Sequence, residues 1–202
     1  MVKKRIVVLA SGRGSNFQAV IEAIRQGKIP AICVALITDN PGAYAIERAE
    51  KAGIPVKVID YSSFHSREMY ERALLQAMQQ ADADLFVLAG YMRILGTSIV
   101  HAFRGKIMNI HPALLPSFTG LHAQQQAVNY GVKVSGCTVH FVDESLDCGP
   151  IILQRCVTVL EGDTEDVLAE RILKQEHECL PEAIRLFCEE KLVTDGRNVR
   201  IT

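Results

Sequence analysis

The sequence predicts an α/β fold with a mostly parallel sheet, helices on both faces, and antiparallel strands extending that sheet in the C-terminal half. Three observations lead there. Short β-branched apolar runs alternate with stretches of helical spacing from residue 5 to about residue 110. Such alternation produces right-handed βαβ units, whose strands are covered on both faces. After residue 131, two longer strand-like runs flank an acidic Gly-Pro loop, a connection suited to an antiparallel pair.

"RIVVLA" (5–10) reads as a buried strand ended by "SGRGS". "NFQAVIEAIRQGK" (16–28) puts Phe17, Val20, Ile21 and Ile24 on one helical face, with Gly27 as its stop. "AICVALITD" (31–39) is a strand, "AYAIERAEKAG" (43–53) a helix and "IPVKVID" (54–60) a strand. "SREMYERALLQAMQQ" (66–80), "ADLFVLAG" (83–90), "TSIVHAF" (97–103) and "GKIMNI" (105–110) continue as helix, strand, short helix and strand. "AQQQAVNYG" (123–131) is a helix, and residues 133–159 hold the two longer strands. A long amphipathic helix starts behind Thr164, and Pro181 is expected to break or kink it. "LVTDGRNVRI" (192–201) closes as a hairpin around Asp195-Gly196.

The 202 residues are 49% hydrophobic and 22% charged with a formal net charge of -1, an ordinary globular composition. No basic excess suggests nucleic acid, and no run of about 18 apolar residues suggests a membrane span. The start "MVKKRIVVLASGRG" places charge before an apolar run, but that run is too short for a signal core, so a cytoplasmic location is expected. The six cysteines form no C-x-x-C pair and the six histidines no H-x-x-x-H spacing, so no metal is expected. No repeat or linker appears, and one domain is expected.

The loop "SGRGSN" (11–16) joins the first strand to the first helix, where open parallel sheets bind ligands and free helix N–H groups meet anions. Gly12 and Gly14 permit close backbone approach, and Ser15 or Asn16 can cap the helix. Phe17 stands where a dinucleotide fingerprint needs a third small residue, and no G-K-S/T ending is present. The loop therefore suits a single phosphate better than a pyrophosphate. A plain capped turn without a ligand is the blander reading.

"KIMNIHPALLPSF" (106–118) interrupts an apolar strand with Asn109 and His111. Residues two apart share a face of a strand, so both point the same way at its carboxyl end. An amide and an imidazole there can polarise a carbonyl and hold an oxyanion. Pro112 and Pro116 stiffen the segment beyond the strand. For such a pair alone, capping the strand and bonding to backbone is the favoured reading. "DESLDCGP" (143–150) adds three carboxylates in a loop, of which Asp147 precedes a turn able to aim it inward. A carboxylate beside His111 would favour imidazolium and fix the ring. No Ser or Cys occupies a nucleophile elbow, so direct attack of one bound molecule on another is the expected chemistry.

The motifs "VVLASGRGSN", "SREMYE", "LAGYMRIL", "NIHPALLPSFTGLHA", "SGCTVHFVDESLDCGPIILQ" and "QEH", in this order, resemble the glycinamide ribonucleotide transformylases of the folate-dependent formyltransferase superfamily. The resemblance runs from about residue 5 to about residue 190. It implies a Rossmann-like formyltransferase fold in a single domain, 1–202, with a nucleotide- and phosphate-binding half (1–105) and a catalytic and folate-binding half (106–202). It further implies transfer of a formyl group from 10-formyltetrahydrofolate, as co-substrate, to the amine of glycinamide ribonucleotide in purine biosynthesis. Asn109, His111 and Asp147 match the catalytic trio. Gly14, Ser15, Asn16 and Glu176 match ribonucleotide contacts; Arg67, Met92, Arg93, Ile94, Leu95, Asn109, Val142 and Asp143 match folate contacts. The family also carries a cis peptide before its second proline, here Leu115-Pro116. Thr119 and Cys148 depart from or vary within the family pattern without touching the trio.

Two related readings, methionyl-tRNA formyltransferase and formyltetrahydrofolate hydrolase, are disfavoured by expected extra domains that this sequence does not display. A nicotinamide-dependent oxidoreductase using "SGRGSN" and Asp39 is opposed by Phe17. A non-catalytic nucleotide-binding module is the remaining alternative. Oligomeric state is not read from the sequence, and a homodimer stays open.

Overall fold

The computed structural model describes residues 3–202; Met1 and Val2, which head the charged lead-in, lie outside the described residues. The chain divides into two compact units, one running to Met108 and the other Asn109–Thr202.

In the first unit, β1 (Lys4–Leu9), α1 (Ser15–Arg25), β2 (Ala31–Thr38), α2 (Ala45–Ala52), β3 (Val56–Val58), α3 (Arg67–Ala81), β4 (Leu85–Leu88) and α4 (Thr97–Ala102) alternate as expected. β5 (Ile107–His111) carries the chain onward, and hydrogen-bonded neighbours run β3-β2-β1-β4-β5. β1 pairs in parallel with β2 and with β4, and β2 in parallel with β3. The register Ile6–Leu85 to Leu9–Leu88 brings the ends of β1 and β4 level, so their loops leave the sheet side by side. Ile6, Val7, Val8, Leu9, Leu85, Phe86 and Val87 are fully buried, the mark of strands covered on both faces. β3 is shorter than the expected 54–60, because Asp60 accepts the Ser62 N–H and turns the chain into a short 3₁₀ segment.

In the second unit hydrogen-bonded neighbours run β5-β6-β7-β9-β8, and the described residues form nine strands in all. Its elements are α5 (Ala123–Tyr130), β6 (Val134–Phe141), β7 (Ile151–Thr158), α6 (Glu165–Cys188), β8 (Leu192–Asp195) and β9 (Asn198–Ile201). β6 and β7 pair antiparallel, as do β8 and β9 in the expected hairpin, while β7 meets β9 in parallel. Gly136 allows the β6–β7 approach, since a Cβ there would overlap the Arg155 carbonyl.

The break expected at Pro181 does not occur. Helix α6 runs unbroken from Glu165 to Cys188, with Pro181 inside it. Pro181 cannot donate to the His177 carbonyl, a local cost of about 3 kcal/mol. Leu180, Ala183 and Ile184 on either side are fully buried, and α6 packs on β6 and β7. Burying those side chains favours the continuous helix by more than the proline opposes it. The helix starts behind Thr164 as expected, and Thr164 caps it by accepting the Val167 N–H. Among the described residues, no helix is long and apolar enough to cross a membrane.

Candidate active site

The second unit holds the amide, the imidazole and the carboxylate singled out in the sequence. β5 extends through His111, one residue further than "GKIMNI", so Asn109 and His111 occupy positions two apart in the same strand. His111 is 5% exposed. Its Nε2 lies 2.8 Å from the Phe118 carbonyl, and its Nδ1 lies 3.4 Å from Oδ2 of Asp147. Both ring nitrogens therefore face oxygens that only accept. Nε2 can donate to the Phe118 carbonyl, and the Asp147 carboxylate places negative charge beside the opposite edge of the ring.

Asp147 reaches this position through its backbone. It adopts φ +52, a left-handed conformation that a short polar residue tolerates, just before Gly149. A Cβ on Gly149 would overlap the Phe141 carbonyl, so glycine is what lets the loop return against β6. The Asp147 side chain is 9% exposed, and Oδ2 accepts the Gly120 N–H at 2.8 Å. Asp143, by contrast, spends Oδ1 on the Ser145 N–H of its own turn, and Glu144 is exposed. Asp147 is thus the carboxylate that the loop is seen to place beside His111.

His140 on β6 is a member of the site that the sequence reading did not assign. Its Nδ1 lies 2.9 Å from the Phe141 carbonyl and must donate to it, which leaves Nε2 as an acceptor. That nitrogen is 3.2 Å from Nδ2 of Asn109 and takes one of its hydrogens. Burial pulls the His140 pKa below the usual histidine range, keeping the ring neutral as the Asn109 contact requires. Asp147 Oδ1 is 3.9 Å from the same nitrogen. The amide of Asn109 is thus oriented by a neutral histidine. The signal was present in "GCTVHF", where Thr138 and His140 place polar groups on one face of a buried strand.

Thr138 pins the proline-rich segment. It donates to the Ala113 carbonyl at 2.7 Å and accepts the Leu115 N–H at 3.0 Å. Gln154 on β7 bonds both Thr138 and the Leu115 carbonyl, each at 2.9 Å. The Leu115-Pro116 bond is cis. Val142 is half-buried in the loop before Asp143. Glu176 lies on the buried side of α6, 7% exposed.

In the first unit, the glycine turn departs from expectation in one respect. Neither Ser15 nor Asn16 caps α1; Gly14 holds the cap position with φ +65, and Ser15 and Asn16 already lie inside the helix. A side chain at Gly14 is excluded twice, by the left-handed backbone and by Ala45, which would stand 2.8 Å from its Cβ. A left-handed residue followed by helical ones turns successive N–H groups into a concave donor cluster suited to an anion.

The segment 91–95 is held from two sides. Ser11 Oγ accepts the Met92 N–H at 2.9 Å, and the Arg67 guanidinium, paired with Glu71, donates to the Ile94 carbonyl at 3.2 Å. Arg93 turns its side chain back to buried Asp39, with Nε 2.8 Å from Oδ2, and stacks over Tyr61 at 3.9 Å. The hydroxyls of Tyr70 and Tyr91 bond each other beneath it, and burial pushes the Tyr70 hydroxyl up to about 12. Met92 and Ile94 are left exposed at 62% and 60%, while Leu95 is buried. Two exposed apolar side chains on a braced turn can offer a flat heterocycle a contact surface.

Comparison with known proteins agrees with this picture. The formyl transferase family model matches residues 4–184. Residues of the chain are 48% identical over 187 positions to the trifunctional purine biosynthetic protein adenosine-3 of Drosophila melanogaster, covering 92% of the chain but 14% of that much longer protein. They are 42% identical over 182 positions to the phosphoribosylglycinamide formyltransferase of Bacillus subtilis, covering 90% of the chain and 93% of that enzyme. The crystal structure of glycinamide ribonucleotide transformylase 1 from Symbiobacterium toebii superposes with a TM-score of 0.96 at 50% identity, over 98% of this chain and 94% of that one. A matched fold, a family model spanning most of the sequence and a near full-length relative converge: the chain belongs to the formyl transferase family.

Proposed function

We propose that this chain transfers a formyl group from 10-formyltetrahydrofolate to the amine of glycinamide ribonucleotide, and that Asn109, His111 and Asp147 carry the chemistry. The observation that supports it most directly is the His111 ring set between Asp147 and the Phe118 carbonyl, beside an Asn109 amide oriented by His140. The names of near full-length relatives support glycinamide ribonucleotide as the acceptor, and the resemblance of the motifs to folate-dependent formyltransferases supports the folate as donor.

In this reading the substrate amine attacks the formyl carbon and a tetrahedral oxyanion forms. The second N–H of Asn109 and the Nε2–H of His111 stabilise it, the latter exchanging the Phe118 carbonyl for the developing charge. Nδ1 stays against Asp147, whose charge stabilises the imidazolium. Asp147 accepts, through water, the proton that the amine loses. The bond from the formyl carbon to the folate nitrogen then breaks, that nitrogen takes a proton from His111, and tetrahydrofolate leaves. No covalent enzyme intermediate is involved.

Ribonucleotide phosphate is assigned to the turn at Gly14, Ser15 and Asn16, with Glu176 as a ribose contact. The folate is assigned to Arg67, Met92, Arg93, Ile94, Leu95, Asn109, Val142 and Asp143. Because Arg93 is committed to Asp39, its backbone rather than its guanidinium is the part we assign to the ligand. We read 1–202 as one formyltransferase domain acting in the cytoplasm, without a metal.

The test is direct. Purified protein with 10-formyltetrahydrofolate should release tetrahydrofolate only when glycinamide ribonucleotide is added. Equal release without the amine would identify a hydrolase, and no release would refute the reading.

A further inference from the structure

The glycine turn has three carbonyl groups before its helix begins, and a single stretch of chain accounts for all three. The Asn40 side chain donates to the Ser11 carbonyl at 3.1 Å. The Ala45 N–H, in the first turn of α2, donates to the Gly12 carbonyl at 3.0 Å. The Arg48 Nε donates to the Arg13 carbonyl at 2.8 Å. Three successive peptide groups are thus held by the segment Asn40–Arg48.

A trans peptide points its C=O and its N–H to opposite sides. Drawing the carbonyls of Ser11, Gly12 and Arg13 toward Asn40–Arg48 therefore aims the N–H groups of Gly12, Arg13 and Gly14 away from it. Those three amides join the first N–H groups of α1 on the side where an anion would be received. The orientation of the donor cluster is set from behind, by groups that need not touch the anion.

Arg48 is the member of this brace built for the task. Its guanidinium also donates from Nη1 to Oε1 of Gln18 on α1, at 3.1 Å, so it ties the turn to the helix beyond it. The Tyr44 ring lies 5.0 Å from its Cζ and limits where the guanidinium can go. Asn40 is itself fixed, since its Oδ1 accepts the Gly42 N–H at 2.9 Å. The closeness of Ala45 to Gly14 leaves no slack for the turn to retreat toward α2.

We propose that Arg48 is a positioning residue for phosphate recognition, which together with Asn40 and the Ala45 N–H orients the amides of the glycine turn toward the ribonucleotide phosphate. This rests on the functional reading above and names what shapes that subsite. Arg48 acts through the Arg13 peptide, so its effect belongs to phosphorylated ligands alone.

The experiment compares Arg48→Ala, Arg48→Lys and Asn40→Ala with the unaltered protein. Calorimetric titration is made with glycinamide ribonucleotide and with the same compound lacking its phosphate. For Arg48→Ala the dissociation constant of the ribonucleotide should rise about tenfold, the size of one charge-assisted hydrogen bond. Affinity for the dephosphorylated compound, and kcat at saturating ribonucleotide, should stay within about twofold, because the interaction lost is one of binding and not of the transition state. Arg48→Lys keeps the charge but cannot hold the Arg13 and Gln18 oxygens at once, so it should restore affinity only in part. Asn40→Ala should shift the same ligand in the same direction, which keeps the test open should Arg48→Ala fold poorly. Full restoration by Lys would mean that long-range charge alone acts, and would overturn the proposal. Equal losses for both compounds, or none for either, would do so too. If the unaltered protein transfers formyl groups while the variants bind normally, only this inference falls; if it neither binds nor transfers, the functional reading falls with it.

Discussion

Asp147 Oδ2 lies 3.4 Å from Nδ1 of His111 while accepting the Gly120 N–H at 2.8 Å. One carboxylate oxygen thus has two tasks, anchoring its own loop to the segment after β5 and presenting negative charge to a buried imidazole. Asparagine at 147 keeps the shape and tolerates the left-handed backbone, but it loses the charge. Asp147→Asn should therefore lower kcat by about 10²–10³-fold, the range seen when one transition-state partner is removed. Ribonucleotide affinity should change little, since the charge acts on what develops during attack. Steady-state kinetics beside calorimetric binding will separate the two; a loss confined to affinity would contradict the role.

Phe118 holds the Nε2–H of His111 at 2.8 Å, and the proposed mechanism redirects that hydrogen to the oxyanion. His111→Ala removes both of the ring's tasks. Formyl transfer should fall by at least about 10²-fold with ribonucleotide binding retained, as expected when acid and oxyanion donor disappear together. Retained transfer would remove His111 from the mechanism.

His140 connects the site to pH. Burial holds its pKa below the usual 6.5, so between that value and its folded pKa the unfolded chain binds a proton that the native chain refuses. The contribution of neutral His140 to stability is therefore complete above pH about 6.5 and declines as the pH falls through that window to the folded pKa. Denaturant midpoints should drop over this interval, and less steeply in His140→Asn. The imidazole carbon shifts of His140 should report a neutral Nδ1–H ring near pH 7 and a midpoint below 6.5. A midpoint above it would show that the ring charges easily and cannot hold Asn109 as described.

Gly149 supports the same arrangement by absence of a side chain. A Cβ would overlap the Phe141 carbonyl, so Gly149→Ala must push the 142–148 loop from β6. Overpacking of this kind costs about 1–3 kcal/mol. A lowered melting temperature together with lost transfer is expected. Unchanged values would mean that the loop relaxes without moving Asp147.

Gly14 gives a test in the first unit. Valine there would force a β-branched residue to φ +65 against Ala45. Ribonucleotide affinity should weaken by about tenfold or more, with a stability loss of about 1–3 kcal/mol from the strained backbone. Undiminished affinity in titration would mean that the turn holds something other than phosphate.

Much of this was legible in the residues themselves. The alternation of apolar runs and helical spacing led to the strand and helix order, because periods of two and 3.6 are imposed by local backbone geometry. Asn109 and His111 were readable as a same-side pair for the same reason, and the start of the long helix behind Thr164 was readable from its helical spacing. What local geometry could not supply was which distant group each side chain meets. His140 orienting Asn109, Asp147 rather than Asp143 facing His111, Arg93 committed to Asp39, and α6 passing through Pro181 all depend on elements brought together from far along the chain. Hydrogen bonds act over about 3 Å and burial depends on what covers a surface, so these choices were decided only when the chain had packed.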